Sequence, residues 1–267
     1  MNDDSGGPVL EFEGVRQAFP APGGGAALTV LDGISFAVGR GEFVAVIGPS
    51  GCGKSTLLQM AAGLLKPTGG TASQDGQVIE GVNRRIGLVP QQAQLYPWKT
   101  LIQNVEFPLA LRGVAADERR ARALAALSAV DLAGFEDHWP WQLSGGMQKR
   151  ASIARTMVYG PEVILMDEPF GALDAQTKLT MQNDLQTLTA RSGAAVLFVT
   201  HDITEAIMLA DRVVVLSRRP TRVLADVTVD LPRPRNVFEP FAVPGFPETY
   251  DKVWQLFRGE VTGRTAA

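Results

Sequence analysis

Gly48-Pro49-Ser50-Gly51-Cys52-Gly53-Lys54-Ser55 follows the short apolar run 43–47 and opens a segment, 56–65, with helical character. Strand, glycine-rich loop ending in Lys-Ser, then helix is the setting a phosphate-binding P-loop needs. Glycines let the backbone curl until several N–H groups point inward as an anion nest, and the following helix adds the positive end of its dipole. In such a loop Lys54 reaches the β- and γ-phosphates, and the Ser55 hydroxyl is a ligand for Mg²⁺. Leu57, Leu58, Ala61, Leu64 and Leu65 form an apolar face that would seat the helix on a core. An ordinary glycine-rich turn between strand and helix would not need the Lys-Ser ending.

Outward from this loop, 267 residues with 45% hydrophobic content suffice for one large domain, or one domain with a subdomain. A net charge of −3 supplies no overall basic field, so nucleic acid is not an expected partner. The acidic start Met1-Asn2-Asp3-Asp4 leads into no apolar run, unlike a secretory signal. No uninterrupted apolar segment approaches the ~18 residues of a spanning helix, so a membrane role would pass through a partner. The single cysteine, Cys52, cannot form an internal disulfide and fits a reducing compartment. Beside a helix N-terminus its pKa could fall and make it reactive; the alternative is a small residue that simply fits.

Residues 1–8 are small and polar and are expected to be disordered. Alternation begins at Val9-Leu10-Glu11-Phe12-Glu13, breaks at the Pro/Gly-rich tip 20–27, and resumes with Leu31, Ile34, Phe36 and Val38. Two such runs joined by a turn predict an antiparallel hairpin ahead of the core. Phe19 closes the first run, either as a core aromatic or as a platform for a nucleotide base. Strand-like pieces follow at 77–80 and 85–89, and residues 100–160 turn helical. There Asp117 is a candidate cap, and the Ala/Arg run 119–126 reads as a solvated face.

Fully apolar runs at 163–166, 194–199 and 213–216, with a helical pattern at 175–190 between the first two, predict an open α/β sheet. Such sheets bind ligands at the carboxyl ends of their strands. Asp167 and Glu168 stand at one of those ends. As turn acids before Pro169 they would be unremarked, but downstream of a P-loop one can hold Mg²⁺ and the other polarise an attacking water. His201 ends the next strand, where it is a candidate sensor of the γ-phosphate. Before a second helix stand Leu143-Ser144-Gly145-Gly146-Met147-Gln148. Ser144 is a natural N-cap, and a glycine pair is more than a helix start requires, which suggests close approach by a phosphate.

Taken together, these residues resemble an ATP-binding cassette (ABC) ATPase. GPSGCGKST (48–56) looks like its phosphate loop, Gln91 its Q-loop glutamine and LSGGMQ (143–148) its signature. VILMDEP (163–169) resembles its Walker B strand, GALD (171–174) its D-loop, and His201 its switch histidine, with Phe19 where its adenine-stacking aromatic lies. LYPW (95–98) and VDLPRPR (229–235) are similar to segments of the nitrate/sulfonate/taurine-type importers. Met147, Pro90 and Gln92 depart from the usual pattern without removing a phosphate-binding or catalytic group.

The resemblance implies an α/β, P-loop NTPase (RecA-like) core with an N-terminal antiparallel β subdomain and an inserted α-helical subdomain. The ATP-binding domain would span 9–230, its helical part about 92–160, and a tail with an amphipathic helix (Tyr250, Val253, Trp254, Phe257) would follow from 231 to 267. It implies ATP and Mg²⁺ as cofactors. Phe19, Gly48, Pro49, Ser50, Gly51, Cys52, Gly53, Lys54, Ser55, Thr56, Ser144, Gly145 and Gly146 would bind nucleotide. Ser55, Gln91 and Asp167 would hold the metal, Glu168 and His201 would be catalytic, and Asp174 would act in the D-loop at a dimer contact. The signature of one subunit would complete the site on the P-loop of a second, in a head-to-tail dimer. Permease subunits would hold the protein at the cytoplasmic face of the cell membrane, with a solute-binding protein in the same system and a small anion as cargo. Tyr96 and Trp98 are candidates for the permease contact or for the cassette's own core, and Trp139 and Trp141 are expected under the signature helix. The alternatives are lipid or lipoprotein traffic and a soluble cassette without a transporter.

Overall fold

The computed structural model of the protein describes residues 7–20, 26–171 and 173–262. The expected disorder at 1–6, most of the Pro/Gly tip (21–25) and Ala172 of the D-loop lie outside them. β1 (Leu10–Phe19) and β2 (Leu28–Val38) pair antiparallel, as their alternation predicts, with Leu10, Phe12, Val15, Leu31, Ile34 and Val38 all buried. After β3 (Phe43–Ile47) and helix α1 (Lys54–Ala61), β4 (Gly69–Gln74) adds to the free edge of β1 and carries the two-residue β5 (Gln77–Val78).

A second sheet runs β10-β9-β3-β8-β7-β6. Its strands are β6 (Ile86–Val89), β7 (Val163–Asp167), β8 (Ala195–Thr200), β9 (Arg212–Leu216) and β10 (Val223–Thr228). All neighbours are parallel except the β9–β10 pair. Every residue of β3 and β8 is buried because both sheet faces are covered. Val44 and Val46 face the N-terminal sheet and α1, whereas Phe43, Ala45 and Ile47 face α6 (Ile203–Leu209) and α7 (Phe246–Thr262). At ~1.5–3 kcal/mol per fully buried large apolar side chain, these two faces hold the strand ends in place.

Between β6 and β7 lie α2 (Leu101–Leu111), α3 (Ala116–Ser128) and α4 (Gly145–Met157). They enclose their own core of Leu101, Val105, Leu109, Leu127 and Ala151. α5 (Ala175–Ser192) then leads to β8, and α7 closes on the sheet through Phe246, Val253 and Phe257, leaving Trp254 at 39% exposure.

Several expectations are corrected here. α1 ends at Ala61, so Leu64 falls beyond it and stands exposed. Ala115, not Asp117, precedes α3, and Asp117 sits in the first turn where it still complements the dipole. Trp141 is 67% exposed and stacks on Trp139 at 5.1 Å between ring centres, rather than packing under α4. The sequence pattern does not predict strand β4.

Candidate functional site

The β3–α1 turn is closed by backbone and side chain together. Gly53 adopts φ 111° as the residue before α1, and a Cβ there would come within 2.8 Å of both Val30 and Leu31. Lys54 is buried, and its Nζ donates to the carbonyls of Gly48 (2.8 Å) and Pro49 (3.1 Å), so the ammonium arches over the loop it belongs to. Ser55 Oγ donates to Asp167 Oδ1 at 3.0 Å. A cleft of about 370 Å³ opens along the loop, lined by Phe19, Leu28, Lys54, Thr56 and Glu168 among others. Phe19 is thus at the cleft and 37% exposed, so it is not a core aromatic.

β7 and β8 deliver the acids. Asp167 is the last residue of β7, in register with Val199 of β8, and Glu168 follows at φ 40° with its N–H donating to the Val199 carbonyl. That left-handed backbone turns Glu168 away from the strand direction. Its Oε2 lies 3.2 Å from His201 Nδ1 and accepts from Gln91 Nε2 at 3.4 Å. Burial holds the Asp167 carboxyl above the usual carboxylate range, and the neighbouring Glu168 charge adds to this. The Ser55 hydrogen bond and the charges of Lys54 and Lys149 pull the other way.

This donor set fits Mg²⁺. A carboxylate whose ionisation is disfavoured by burial and by a second carboxylate gains from a divalent cation, and Ser55 sits against it. No group of three or more His, Cys, Asp or Glu side chains able to hold a metal occurs among the described residues. Mg²⁺ needs no such cage, because it keeps waters and phosphate oxygens and takes one or two carboxylates.

The signature lies elsewhere. Ser144 caps α4, accepting from the Met147 N–H at 3.3 Å, and neither Ser144, Gly145 nor Gly146 lines the cleft. Gly145 faces open space, while a Cβ on Gly146 would meet the Thr177 methyl at 2.9 Å. One of the two surplus glycines is therefore explained by packing against the start of α5. Asp174 caps α5, accepting from the Thr177 N–H at 3.0 Å, and this bond holds its carboxyl below the usual range.

Cys52 is 2% exposed, in contact with the core beneath the N-terminal sheet, and burial pushes its thiol up. This burial speaks against the reactive alternative, since desolvation raises the thiol more than the Lys54 charge and nearby backbone N–H groups lower it. Two residues escaped the sequence reading. Lys149 of α4 is buried and donates to the carbonyls of Pro90 (2.6 Å) and Gln91 (2.9 Å), tying the signature helix to the Q-loop. Arg219, after β9, lines the cleft. Lys149 continues the signature string by three residues from Gly146, a signal that was available; Arg219 lies far from any motif.

A sequence model of the family described as "ABC transporter" matches residues 31–171. An uncharacterized ABC transporter ATP-binding protein of Methanocaldococcus jannaschii is 49% identical over 228 residues, 85% of this chain and 81% of its own length. The nitrate import ATP-binding protein of Synechocystis is 41% identical over 263 residues, covering 97% of this chain and 98% of its own. A taurine import ATP-binding protein of Pseudomonas syringae pv. tomato is 39% identical over 249 residues, 92% and 94% of the two chains. Among solved structures, a dimeric post-hydrolysis ATP-binding cassette bound to ADP and Pi superimposes with a TM-score of 0.74 at 34% identity, over 82% of this chain and 98% of the other.

Proposed function

The chain belongs to the ABC transporter ATP-binding proteins, and from that membership we propose that it drives uptake of a small anion such as nitrate or a sulfonate like taurine. The protein is an ATPase subunit coupling ATP hydrolysis to transport. The solute class is supported by one observation: the nitrate import relative aligns over nearly the whole of both chains.

In this reading the cleft takes the nucleotide, with the base on Phe19 and the phosphates in the loop from Gly48 to Thr56. Lys54 would exchange its bonds to the Gly48 and Pro49 carbonyls for the β- and γ-phosphates, a stronger charge-assisted interaction. Ser55 and Asp167, with Gln91 nearby, would hold Mg²⁺, which supplies neutralisation of phosphate charge when bound. Glu168 accepts a proton from the attacking water, and His201 and Gln91 fix the carboxylate that does so. Ser144, Gly145 and Gly146 of a second subunit would face the γ-phosphate with a helix start, adding charge stabilisation that one chain lacks. Their absence from this chain's own cleft and the dimeric neighbour support that pairing. Loss of the γ-phosphate would then open the dimer and make hydrolysis a mechanical switch.

No helix among the described residues is long and apolar enough to cross a membrane, so permease subunits would anchor the pair. Trp98, 69% exposed beside Tyr96 at 5.6 Å between ring centres, is the candidate contact. Residues 9–230 would form the ATP-binding domain, the helical part about 92–160, with 231–267 as a tail; a solute-binding protein would deliver cargo to the permease. The test is uptake of labelled nitrate and taurine by cells with and without the chain. Uptake that depends on the chain and is lost in Glu168→Gln supports the reading, and unchanged uptake of both solutes rejects the solute class.

A further inference from the structure

Arg219 lies 168 residues from Gly51 along the chain, yet its Nε donates to the Gly51 carbonyl at 2.5 Å. The turn that carries it is stitched down on two sides. Thr221, fully buried, donates its hydroxyl to the Cys52 carbonyl at 2.5 Å, donates its N–H to the Val30 carbonyl, and accepts from the Asp32 N–H. These bonds fix the backbone next to Arg219 against the phosphate loop and β2. A Cβ on Gly51 would stand 2.7 Å from Arg219 Nη2, so the guanidinium lies along the loop. It lines the same cleft as Phe19, Lys54 and Thr56.

Its charge has no local use. Neighbouring Arg222 pairs with Asp32, and Arg212 pairs with Glu42 and Asp226, but among the described residues no carboxylate lies within ion-pair distance of Arg219. An unpaired arginine on an open surface would be ordinary. Arg219 is exposed too, but it hangs from the phosphate loop and lines the cleft beside that loop, which places it for an anionic ligand.

We propose that Arg219 is a nucleotide-binding residue, adding a second fixed cation beside Lys54 for the phosphate chain shared by ATP and ADP. The proposal rests on the nucleotide reading of the cleft. It makes the β9–β10 turn part of the site, although that turn lies well beyond residue 171, where the family match ends.

The test titrates the full chain with ADP and with adenosine, which carries the base but no phosphates, at low and high salt. Arg219→Gln keeps a donor for the Gly51 carbonyl and removes the charge. It should weaken ADP roughly tenfold at low salt, flatten the salt dependence and leave adenosine unchanged. ADP affinity within twofold of the parent, or an equal loss for ADP and adenosine, overturns the proposal; the second outcome would assign Arg219 to the shape of the loop alone. Should the glutamine variant fail to fold, Arg219→Met takes its place under the same criteria. A parent chain that binds no ADP would instead sink the nucleotide reading, with Lys54→Ala as the matched control.

Discussion

The two helix starts of this molecule that resemble phosphate sites are built to opposite plans. At the P-loop, the charged and polar side chains that lead the reading already have partners in the same chain: Lys54 on loop carbonyls, Ser55 on Asp167, Glu168 between Gln91 and His201. At the signature, Ser144 does no more than cap its own helix, Gly145 faces open space, and none of the three residues reaches the cleft. The first is a half-site held ready, its geometry fixed by a sheet buried on both faces. The second, under the proposed pairing, would be a half-site facing outward. Packing does not account for the glycine at 145, and the proposed pairing with a second subunit would.

Changing one residue at a time in each half tests that division. The largest effect is expected at Glu168→Gln, which removes the proposed proton acceptor but keeps an oxygen for the contacts to Gln91 and His201. Turnover should fall by about a thousandfold while ATP binding persists and a nucleotide-bound dimer accumulates in size-exclusion chromatography. Normal steady-state hydrolysis would remove Glu168 from its role. Next comes Lys54→Ala, which should weaken ATP roughly a hundredfold by equilibrium titration, since a buried cation is lost from the loop. Unchanged affinity would mean that the ammonium serves only the Gly48 and Pro49 carbonyls.

The signature half calls for a subtler change. Ser144→Asp preserves the N-cap, because a carboxylate accepts from the Met147 N–H as well as a hydroxyl does, but it places a negative charge where a γ-phosphate would approach. Melting should be unaltered and hydrolysis should fall at least about tenfold, with dimer formation lost first. Parent-like hydrolysis in this variant would break the contrast between the halves, because Ser144 would then be a cap and nothing more.

What the sequence made legible follows local physics. Runs such as 43–47, 163–166 and 194–199 announce strands buried on both faces, and the polar residues at their ends are legible with them. β4 was not legible: Gly69–Gln74 buries just Ala72 and Gln74, so it carries no alternating apolar signal, and pairing with β1 is what makes it a strand. Cys52 misleads for a related reason. Its position at a helix start is local, while the burial that raises its pKa comes from a core cluster with many members far along the chain. That Phe19 is no core aromatic follows only from its place in the cleft that Lys54 and Thr56 also line, which β1's alternation does not reveal.

The last effect is one of stability, not turnover, and concerns the strut between the two halves. Lys149 belongs to the signature helix but directs its ammonium at the Pro90 and Gln91 carbonyls, and burial pushes its pKa down from the ordinary 10.5 to about 8. Below pH 8 the lysine is protonated whether the chain is folded or not, and the folded state bears the full cost of burying the charge. Between pH 8 and 10.5 the folded amine has lost its proton while the unfolded one keeps it, so unfolding takes up a proton and stability from this group rises with pH. Lys149→Met has no such titration. The difference in stability between parent and variant, measured by melting without nucleotide at about pH 7.5 and about pH 10, should therefore shift in the parent's favour by on the order of 2 kcal/mol. A neutral amine can still donate to both carbonyls, so the tie between Q-loop and signature helix would survive the change. If the two melting curves instead stay parallel across that window, burial does not disfavour the ammonium, and the link between the halves is looser than these contacts imply.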